Sequence, residues 1–458
     1  MQIFHVITSL LICISNSAGR SYVETGTTLK IWESLREYSE ILTKSGLTMT
    51  QQTADDFVRL MRKFHRIQES LAADGLMNGI LSGKYDPDVF RNASQLITSK
   101  GYVCEEHTVV TEDGYILGLQ RIPHGRRSHN RSGPRRVAFL QHGLLASATN
   151  FLANSANDSL GFMLADNGFD VWLGNVRGNT YSRKHKYLNP DKDHAFWNFT
   201  WDDMASKDLP AMLDYVLKVT NQTQLVYIGH SQGTMMGFAE FNRNKELAEK
   251  VHTFVALAPV ANISNMISPI KDILPFAHEL KVIYELFGTG EFFSSSKLIK
   301  WFVRTACREP WVELCEDFIF LLAGFDFSRL NTTRIPVYLS HTPAGTSVKN
   351  MVHYAQAVKL RQFQMYDYGM EGNMKIYHQI TPPIYNVSTM KTPVVLYSGG
   401  KDWLADPTDV KRLIPQLKNV VRNRFIPSYN HLDFIWAIDA NRMVYDDLIN
   451  FLKRSLLH

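Results

Sequence analysis

One apolar stretch in the middle of the chain changes within a few residues from a strand pattern into a turn and then into a helical pattern. Residues 225–228 are four consecutive residues that favour a buried strand, and the pentapeptide 229–233 reads Gly-His-Ser-Gln-Gly. From residue 232 onward, apolar residues recur at spacings that place them on one helix face. The pattern therefore predicts a strand, a tight turn that carries Ser231, and a helix.

Strand and helix patterns alternate along most of the chain after residue 102. Apolar runs typical of strands occur at 107–110, 115–122, 137–140, 170–173, 225–228, 253–257, 393–397 and 423–426. Helical spacing occurs at 160–165, 205–219, 407–417 and 440–452. The first two strands are joined through Asp113-Gly114, a dipeptide typical of β-hairpin turns. This alternation predicts an α/β fold whose mostly parallel sheet carries helices on both faces.

Two segments depart from the alternation. Residues 20–85 keep helical spacing and carry no recognisable chemistry, which predicts a helical N-terminal extension, either a propeptide or a packed accessory hairpin. Residues 261–390 hold apolar helical pieces at 267–280, 298–303 and 311–322 without clear strands, which predicts a mostly helical cap inserted above the sheet edge. The aromatic and aliphatic residues of this cap could line a lipid site, although helices that pack on a core would show the same composition.

Composition and charge restrict the classes of function. With 458 residues, 45% of them hydrophobic, the chain can bury a large core, as one large domain with an insertion or as two domains. The 49 basic and 44 acidic residues give a net charge of only +5, which indicates no nucleic-acid partner, and nothing implies an obligate protein partner. The basic run at 126–136 joins two strand-like segments and is explained by a solvated loop. Because the chain lacks His-Glu-x-x-His, Cys-x-x-Cys and glycine-rich phosphate-loop motifs, we expect no metal site and no cofactor.

The N-terminus and the sequons indicate the secretory pathway. Residues 3–15 form an apolar stretch followed by Asn-Ser-Ala-Gly, which predicts a signal peptide at residues 1–19. A run of about 12 apolar residues is too short to cross a bilayer. Eight Asn-x-Ser/Thr sequons predict a glycoprotein, and they begin at Asn92, Asn130, Asn157, Asn198, Asn221, Asn262, Asn331 and Asn386. We therefore expect a soluble, exported protein.

The cysteine pattern fits the same compartment. Removal of the signal peptide would take Cys13 away and leave Cys104, Cys307 and Cys315. Cys307 and Cys315 are close enough in sequence to close a short loop, and an oxidising compartment favours a disulfide between them. Cys104 then has no partner, and we expect a buried free thiol at that position.

The predicted turn places Ser231 where a catalytic nucleophile is typically found. A sharp strand-to-helix turn exposes a serine hydroxyl at the sheet edge and aims it toward the positive end of the helix. Gly229 and Gly233 fit such a turn because side chains there would collide with the turn and the neighbouring strand. The Gln232 N–H would then point to where an oxyanion forms, and Leu144, after the strand at 137–140, would supply a second N–H.

A carboxylate and a histidine follow in the order that this chemistry requires. In α/β-hydrolases the chain order is serine, acid, histidine, and each residue follows a strand. Ser231, Asp402 and His431 meet both conditions. Asp406 is a rival acid, but it precedes a proline at the start of a predicted helix, so we expect it to be an N-cap. The polar neighbours that we expect to brace loops are His142, Arg177, Asn179 and His230.

Six segments together resemble the acid lipase family, that of the gastric and lysosomal lipases, within the α/β-hydrolase superfamily. They are residues 141–147 (Gln-His-Gly-Leu-Leu-Ala-Ser), 174–179 (Gly-Asn-Val-Arg-Gly-Asn), 229–234 (Gly-His-Ser-Gln-Gly-Thr), 343–348 (Pro-Ala-Gly-Thr-Ser-Val), 400–406 (Gly-Lys-Asp-Trp-Leu-Ala-Asp) and 430–434 (Asn-His-Leu-Asp-Phe). The resemblance covers the chain from about residue 86 to the C-terminus. Better-known members lack a counterpart of the extension at 20–85.

The resemblance implies an α/β-hydrolase domain at 86–458 with a cap at about 261–390. It also implies a secreted or lysosomal glycoprotein that cleaves neutral lipid esters, such as triacylglycerols or sterol esters, at an oil–water or membrane interface. Ser231, Asp402 and His431 match the family's catalytic triad. Leu144 and Gln232 match its oxyanion donors, and Cys307 and Cys315 match its cap disulfide. Two alternatives stay open: a short-chain carboxylesterase, and a non-catalytic lipid-binding protein on the same scaffold.

Overall fold

The computed structural model describes residues 86–127, 133–268, 290–292 and 329–455. All of them lie within one compact unit, Asp86–His458. Some predictions concern residues outside these ranges. They are the signal peptide, the extension at 20–85, the disulfide between Cys307 and Cys315, the sequon at Asn130 and most of the helical pieces of the cap.

A large mixed sheet forms the centre of the unit. The strands in the described residues are β1 (Glu105–Val110), β2 (Ile116–Ile122), β3 (Val137–Gln141), β4 (Asp170–Gly174), β5 (Leu225–His230), β6 (Val251–Leu257), β7 (Glu291–Phe292), β8 (Thr346–Ser347), β9 (Val394–Gly399) and β10 (Val420–Ile426). Eight of them form one sheet in the order β1-β2-β4-β3-β5-β6-β9-β10. Only the β1–β2 and β2–β4 pairs of this sheet are antiparallel. The predicted α/β fold with a mostly parallel sheet is confirmed.

Helices connect the strands in nearly the predicted positions. They are α1 (Ala93–Ser99), α2 (Leu160–Asp166), α3 (Trp201–Asp203), α4 (Leu209–Thr220), α5 (Gln232–Arg243), α6 (Lys245–Glu249), α7 (Ile335–His341), α8 (Val348–Leu360), α9 (Gly369–Tyr377), α10 (Pro407–Leu413), α11 (Asp433–Trp436) and α12 (Asp446–Ser455). Shorter 3-10 turns lie at Pro87–Val89, Ala148–Phe151, His194–Trp197, Thr332–Arg334, Val387–Thr389 and Ile414–Gln416. Two π-helical turns lie at Met204–Asp208 and Asn441–Tyr445.

Burial differs between the middle and the edges of the sheet. Every residue of β3, β4, β5 and β9 is buried, as expected for strands that are covered on both faces. The edge strand β10 instead alternates half-buried and exposed positions until its last residue. The central strands therefore form a rigid base, and Ser231 follows directly from one of them.

The helix predicted at 205–219 is interrupted at its start. Residues Met204–Asp208 form a π-helical turn, and α4 begins only at Leu209, with a proline in its first two positions. Pro210 has no N–H, and its ring would clash with the carbonyl four residues earlier in a regular α-helix. The wider π turn, in which the Leu209 N–H bonds the Met204 carbonyl, accommodates the proline.

The described part of the predicted cap is mainly helical. It includes α7, α8 and α9, and its only regular sheet structure among the described residues is the two-residue antiparallel pair β7–β8. Asn350 and Ser347, which lie at the start of α8, are completely buried. This end of the predicted cap is therefore packed into the protein.

Cys104 differs in part from the expected buried thiol. It is a free thiol, as predicted, but it is half-buried. The residue immediately precedes the edge strand β1, where only one face is covered. Partial burial still raises the pKa of the Cys104 thiol.

Glu240, on α5, is a buried carboxyl group that contacts no charged side chain among the residues described. The residue is 4% exposed, its Oε1 accepts a hydrogen bond from Asn244 Nδ2 at 3.2 Å, and its Oε2 has no hydrogen-bond partner in the described part of the chain. Burial raises the pKa of Glu240 from 4.5 to about 7. The folded state therefore prefers the neutral carboxyl group.

Replacement of Glu240 by Gln should flatten the pH dependence of stability. Because the folded pKa is raised, the stabilising contribution is complete below the unfolded value of 4.5 and is lost as the pH rises to about 7. Thermal unfolding from pH 4.5 to pH 7.5 should show the Tm of the unchanged protein falling relative to that of Glu240→Gln. Glu249→Gln, on an exposed side chain, is the control. Parallel curves for the two proteins would contradict the expectation.

Candidate active site

Ser231 occupies a strained turn between β5 and α5. Its φ of 54° and ψ of −119° lie in a region that non-glycine residues rarely adopt. A Cβ on Gly229 would lie 2.7 Å from the backbone carbon of Gly233, and a Cβ on Gly233 would run into the Gln141 carbonyl oxygen. The sequence motif is thus required sterically, because only glycine fits on either side of the turn.

Hydrogen bonds hold this turn in place. The Ser231 N–H donates to the Leu257 carbonyl of β6 at 3.1 Å. The Ser231 carbonyl accepts from the Thr234 N–H at 2.8 Å and from Thr234 Oγ1 at 2.7 Å. Thr234 Oγ1 also accepts from the Val260 N–H at 2.7 Å. A strained backbone persists only where its surroundings fix it, and these bonds provide that restraint.

Asp402 and His431 meet at the carboxyl ends of β9 and β10. His431 Nδ1 lies 2.9 Å from Asp402 Oδ2 and 3.0 Å from Oδ1. Asp402 Oδ1 also accepts from the N–H groups of Leu404 at 2.9 Å and Ala405 at 2.7 Å. Asp402 is 1% exposed and His431 is 2% exposed. The carboxylate is therefore fixed, and it places the proton of His431 on Nδ1, which leaves Nε2 free to accept one.

The loop around His431 is held by its own side chains. The Asn430 N–H donates to Asp433 Oδ2 at 2.7 Å, and Asn430 Oδ1 accepts from the N–H groups of Leu432 and Asp433 at 2.9 and 3.0 Å. His230 Nε2 donates to the His431 carbonyl at 3.0 Å. These bonds fix the backbone position from which the imidazole extends.

Ser231 and His431 line one cavity, together with Leu144. Its other lining residues are mostly apolar and include Val260, Ile263, Met266, Leu339, Met351, Leu404 and Trp436. Ser231 Oγ has no hydrogen-bond partner among the described residues, so no bond between Ser231 Oγ and His431 is formed in this structure. Such bonds are often long in unliganded enzymes and shorten when substrate binds.

Two backbone N–H groups near Ser231 have no acceptor among the described residues. Gln232 is the first residue of α5, where an N–H has no partner within the helix. Leu144 lies in the turn after β3 and lines the cavity. Gly143 packs against Ser231 so closely that a Cβ on it would lie 2.9 Å from Ser231 Cβ. Both predicted oxyanion donors thus lie in segments that adjoin the serine.

The two neighbouring histidines are buried and neutral. His142 Nδ1 donates to the Gly143 carbonyl at 2.8 Å, and its Nε2 accepts from Asn179 Nδ2 at 3.0 Å. Burial lowers the pKa of His142 to about 4. Burial, and to a smaller extent the charge of the nearby His431, lower the pKa of His230 to about 3. Both rings brace loops beside the site, and neither faces a carboxylate as His431 does.

Arg177 and Asp406 also hold loops near the site. Arg177 is 1% exposed, and its guanidinium group pairs with Asp208 at 2.7 Å and Asp113 at 2.7 Å. Burial alone would lower the pKa of Arg177, but the two aspartates raise it. Asp406 Oδ1 accepts from the Thr408 N–H at 2.7 Å and so caps α10, as expected.

Neither metal ligation nor a membrane span is found in the described part of the chain. No group of three or more His, Cys, Asp or Glu side chains in those residues could hold a metal ion. None of the helices there is long and apolar enough to cross a bilayer.

Comparisons with known proteins identify the family. A model described as a partial alpha/beta-hydrolase lipase region matches residues 93–155, and one described as the alpha/beta hydrolase fold matches residues 139–281. Lysosomal acid lipase/cholesteryl ester hydrolase from Homo sapiens is 48% identical over 371 residues, which cover 81% of this chain and 92% of that protein. Gastric triacylglycerol lipase from Homo sapiens is 49% identical with the same coverage. The chain belongs to the acid lipase family.

Membership of the acid lipase family confirms the resemblance found in the sequence. Lipase member K from Mus musculus, 47% identical over 81% of this chain and 93% of that protein, extends the same relationship. A solved monoglyceride lipase variant from Saccharomyces cerevisiae is 14% identical, with a TM-score of 0.47, over 78% of this chain and 97% of that one. The acid lipase family places the chain among the serine ester hydrolases of the α/β-hydrolase superfamily.

Sequence reasoning missed two residues that contact the site, Asn350 and Tyr354 of α8. Both bond the side chain of Gln232. A partial signal was present, because residues 343–348 resemble the acid lipase family and Ser347 caps α8 by accepting from the Asn350 N–H. The motif marks where the helix begins, but the sequence does not show which side chains the helix turns toward Gln232.

Replacement of Thr234 by Val should weaken the turn at Ser231. The change removes the 2.7 Å bonds to the Ser231 carbonyl and from the Val260 N–H while it keeps the side-chain shape. We expect the free energy of unfolding to fall by about 1–3 kcal/mol and ester hydrolysis to slow. Urea unfolding and initial rates measure the two effects. Thr220→Val, which removes a bond to the Val216 carbonyl on α4, is the control. Equal activity losses in the two variants would count against a specific role.

Proposed function

We propose that this chain is a lipase that hydrolyses neutral lipid esters, such as triacylglycerols or sterol esters, through an acyl-enzyme on Ser231. The observation that carries the proposal is the buried His431–Asp402 pair, with Nδ1 at 2.9 Å from Oδ2, beside a serine that shares a cavity with the imidazole. The names of the relatives, triacylglycerol lipase and cholesteryl ester hydrolase, support the substrate class.

The reaction begins with proton transfer from Ser231 Oγ to His431 Nε2. The serine oxygen attacks the ester carbonyl, and the resulting oxyanion accepts hydrogen bonds from the N–H groups of Leu144 and Gln232. Asp402 holds the imidazole tautomer and stabilises the imidazolium. His431 then returns the proton to the departing alcohol, and the acyl group remains on Ser231.

Water completes the cycle. His431 Nε2 accepts a proton from a water molecule, and the hydroxide attacks the acyl carbonyl in the same oxyanion site. When the second tetrahedral intermediate collapses, the bond between the acyl carbon and Ser231 Oγ breaks, His431 returns its proton to Oγ, and the fatty acid is released. An apolar cavity fits this product because a hydrocarbon chain is stabilised when it leaves water.

The route through the cell is proposed from the N-terminus, the sequons and the relatives. A signal peptide at residues 1–19 would direct the chain to the secretory pathway, with a secreted or lysosomal destination. One relative is named as lysosomal and another as gastric. There the enzyme would meet lipid esters at an oil–water or membrane interface. The extension at 20–85 and the cap at about 261–390 complete the proposed domain organisation.

Replacement of Ser231 by Ala should abolish ester hydrolysis. Without the nucleophile, we expect the rate on an emulsified long-chain triacylglycerol to fall by more than about a thousandfold. Ser99→Ala, which removes a hydroxyl that bonds the Leu96 carbonyl on α1, should leave the rate unchanged. Turnover retained by Ser231→Ala would reject the acyl-enzyme. In the unchanged protein, a rate that stops rising at the solubility limit of the substrate would favour a short-chain carboxylesterase.

Glycosylation should follow the exposure of the sequons. Asn92, Asn157, Asn198, Asn221 and Asn386 are exposed, whereas Asn262 is half-buried and its Nδ2 donates to the Arg361 carbonyl at 3.0 Å. We expect glycans at the five exposed sites and none at Asn262, because Nδ2 is the atom that carries the glycan. Enzymatic deglycosylation in heavy-oxygen water, followed by peptide mass mapping of secreted protein, detects each site. A label at Asn262 with none at the exposed sites would overturn the expectation.

A further inference from the structure

Both polar atoms of the Gln232 side chain make contacts with other residues, although only the backbone N–H of Gln232 has a part in the proposed reaction. Its Oε1 accepts from Asn350 Nδ2 at 3.0 Å and from the Tyr354 hydroxyl at 3.1 Å. Its Nε2 donates toward Met204 Sδ at 3.3 Å. The residue is 1% exposed, and its side chain does not belong to the lining of the cavity that contains Ser231.

Both donors to Gln232 Oε1 come from α8, in the predicted cap. Asn350 and Tyr354 are four residues apart and therefore lie on the same helix face. Asn350 is completely buried, its Oδ1 accepts from the Trp201 N–H at 2.7 Å, and its Nδ2 also donates to Thr346 Oγ1 at 3.1 Å. Asn350 is thus fixed from several sides and cannot move without breaking bonds to two other segments.

The same helix forms part of the cavity wall. Met351 and Tyr354 line the cavity that also contains Ser231 and His431. One helix therefore contacts both the space for the substrate and the side chain of Gln232. Among the described helices, α8 is the one that bonds the Gln232 side chain through two residues.

The backbone strain at Ser231 gives these contacts a role. The serine has a φ of 54° and a ψ of −119°, a conformation that relaxes unless both of its sides are held. Its N-terminal side is held by β5. Anchoring the Gln232 side chain fixes the Cα that follows the serine, and with it the peptide plane that carries the Gln232 N–H.

We infer that Asn350 and Tyr354 are positioning residues for the oxyanion site. They hold Gln232 so that its backbone N–H points at the developing oxyanion, and they connect this donor to the wall of the substrate cavity through α8. The inference rests on the proposed function. An N–H that is misaligned costs more in the transition state than in the bound substrate, so a loss should appear in kcat and leave KM nearly unchanged.

Tyr354→Phe tests the inference most cleanly, because it keeps the ring in the cavity wall and removes only the hydroxyl. We expect kcat to fall by about threefold to tenfold, because a misaligned Gln232 N–H loses part of its hydrogen bond to the oxyanion in the transition state. The assay uses p-nitrophenyl acetate and p-nitrophenyl octanoate, and active sites are counted with a chromogenic alkylphosphonate ester. Both substrates should lose the same factor in kcat, because both form the same oxyanion. An unchanged kcat, or a rise in KM for the octanoate alone, would overturn the inference.

A double-mutant cycle shows whether Tyr354 acts through Gln232. Gln232→Met keeps the length of the side chain and removes both of its polar atoms. If Tyr354 works by holding Gln232, then Tyr354→Phe should cause little further loss of kcat in the Gln232→Met background. The same factor lost in both backgrounds would show an independent effect and would overturn the inference.

A matched variant and the serine variant separate the causes of any loss. Tyr397→Phe removes a hydroxyl of another fully buried tyrosine, which donates to Asp447 at 2.7 Å, and should leave kcat unchanged. A loss in Tyr397→Phe as large as that in Tyr354→Phe would reduce the effect to general destabilisation and overturn the inference. If Ser231→Ala keeps its activity, the proposed function itself fails. If Ser231→Ala is inactive and Tyr354→Phe is unaffected, only the positioning role fails.

Discussion

The strained turn at Ser231 is the constraint on which the rest of the site depends. A non-glycine residue with a φ of 54° needs neighbours that hold it, and here β5 leads into the turn while β6 accepts its N–H. Gly229 and Gly233 are required because the turn brings backbone against backbone. This turn also determines the position of the Ser231 hydroxyl and the direction of the first N–H of α5. The loops after β3, β9 and β10 then only have to reach the same edge of the sheet.

Burial and the neighbouring charges give the polar residues around Ser231 different protonation states and therefore different roles. His142 and His230 are desolvated, so their pKa values fall to about 4 and about 3 and they remain neutral braces. Arg177 keeps its charge because Asp208 and Asp113 face it. Of the three histidines described beside the serine, His431 alone combines a carboxylate on Nδ1 with a place in the cavity wall. Three histidines close in space thus differ in chemistry because their partners differ.

The sequence predicts the parts of this site that are governed by local rules. Glycine spacing, the preceding strand and the following helix predict Ser231 as the nucleophile, and chain order predicts Asp402 and His431 as its partners. The sequence does not predict contacts between residues that come together only when the chain folds. Asn350 and Tyr354 lie 118 and 122 residues from Gln232, and no periodicity connects them. The buried carboxyl group of Glu240 was missed for the same reason, since its position within α5 does not show what packs over it.

The assignment of Ser231 as the nucleophile is tested most directly by covalent trapping. A p-nitrophenyl alkylphosphonate should release one equivalent of nitrophenol per protein, and peptide mass mapping should place the phosphonyl group on Ser231, because the reagent imitates the tetrahedral state that the site stabilises. Loss of activity should match the fraction labelled. A phosphonyl group on another residue, or loss of activity with Ser231 unlabelled, would contradict the account.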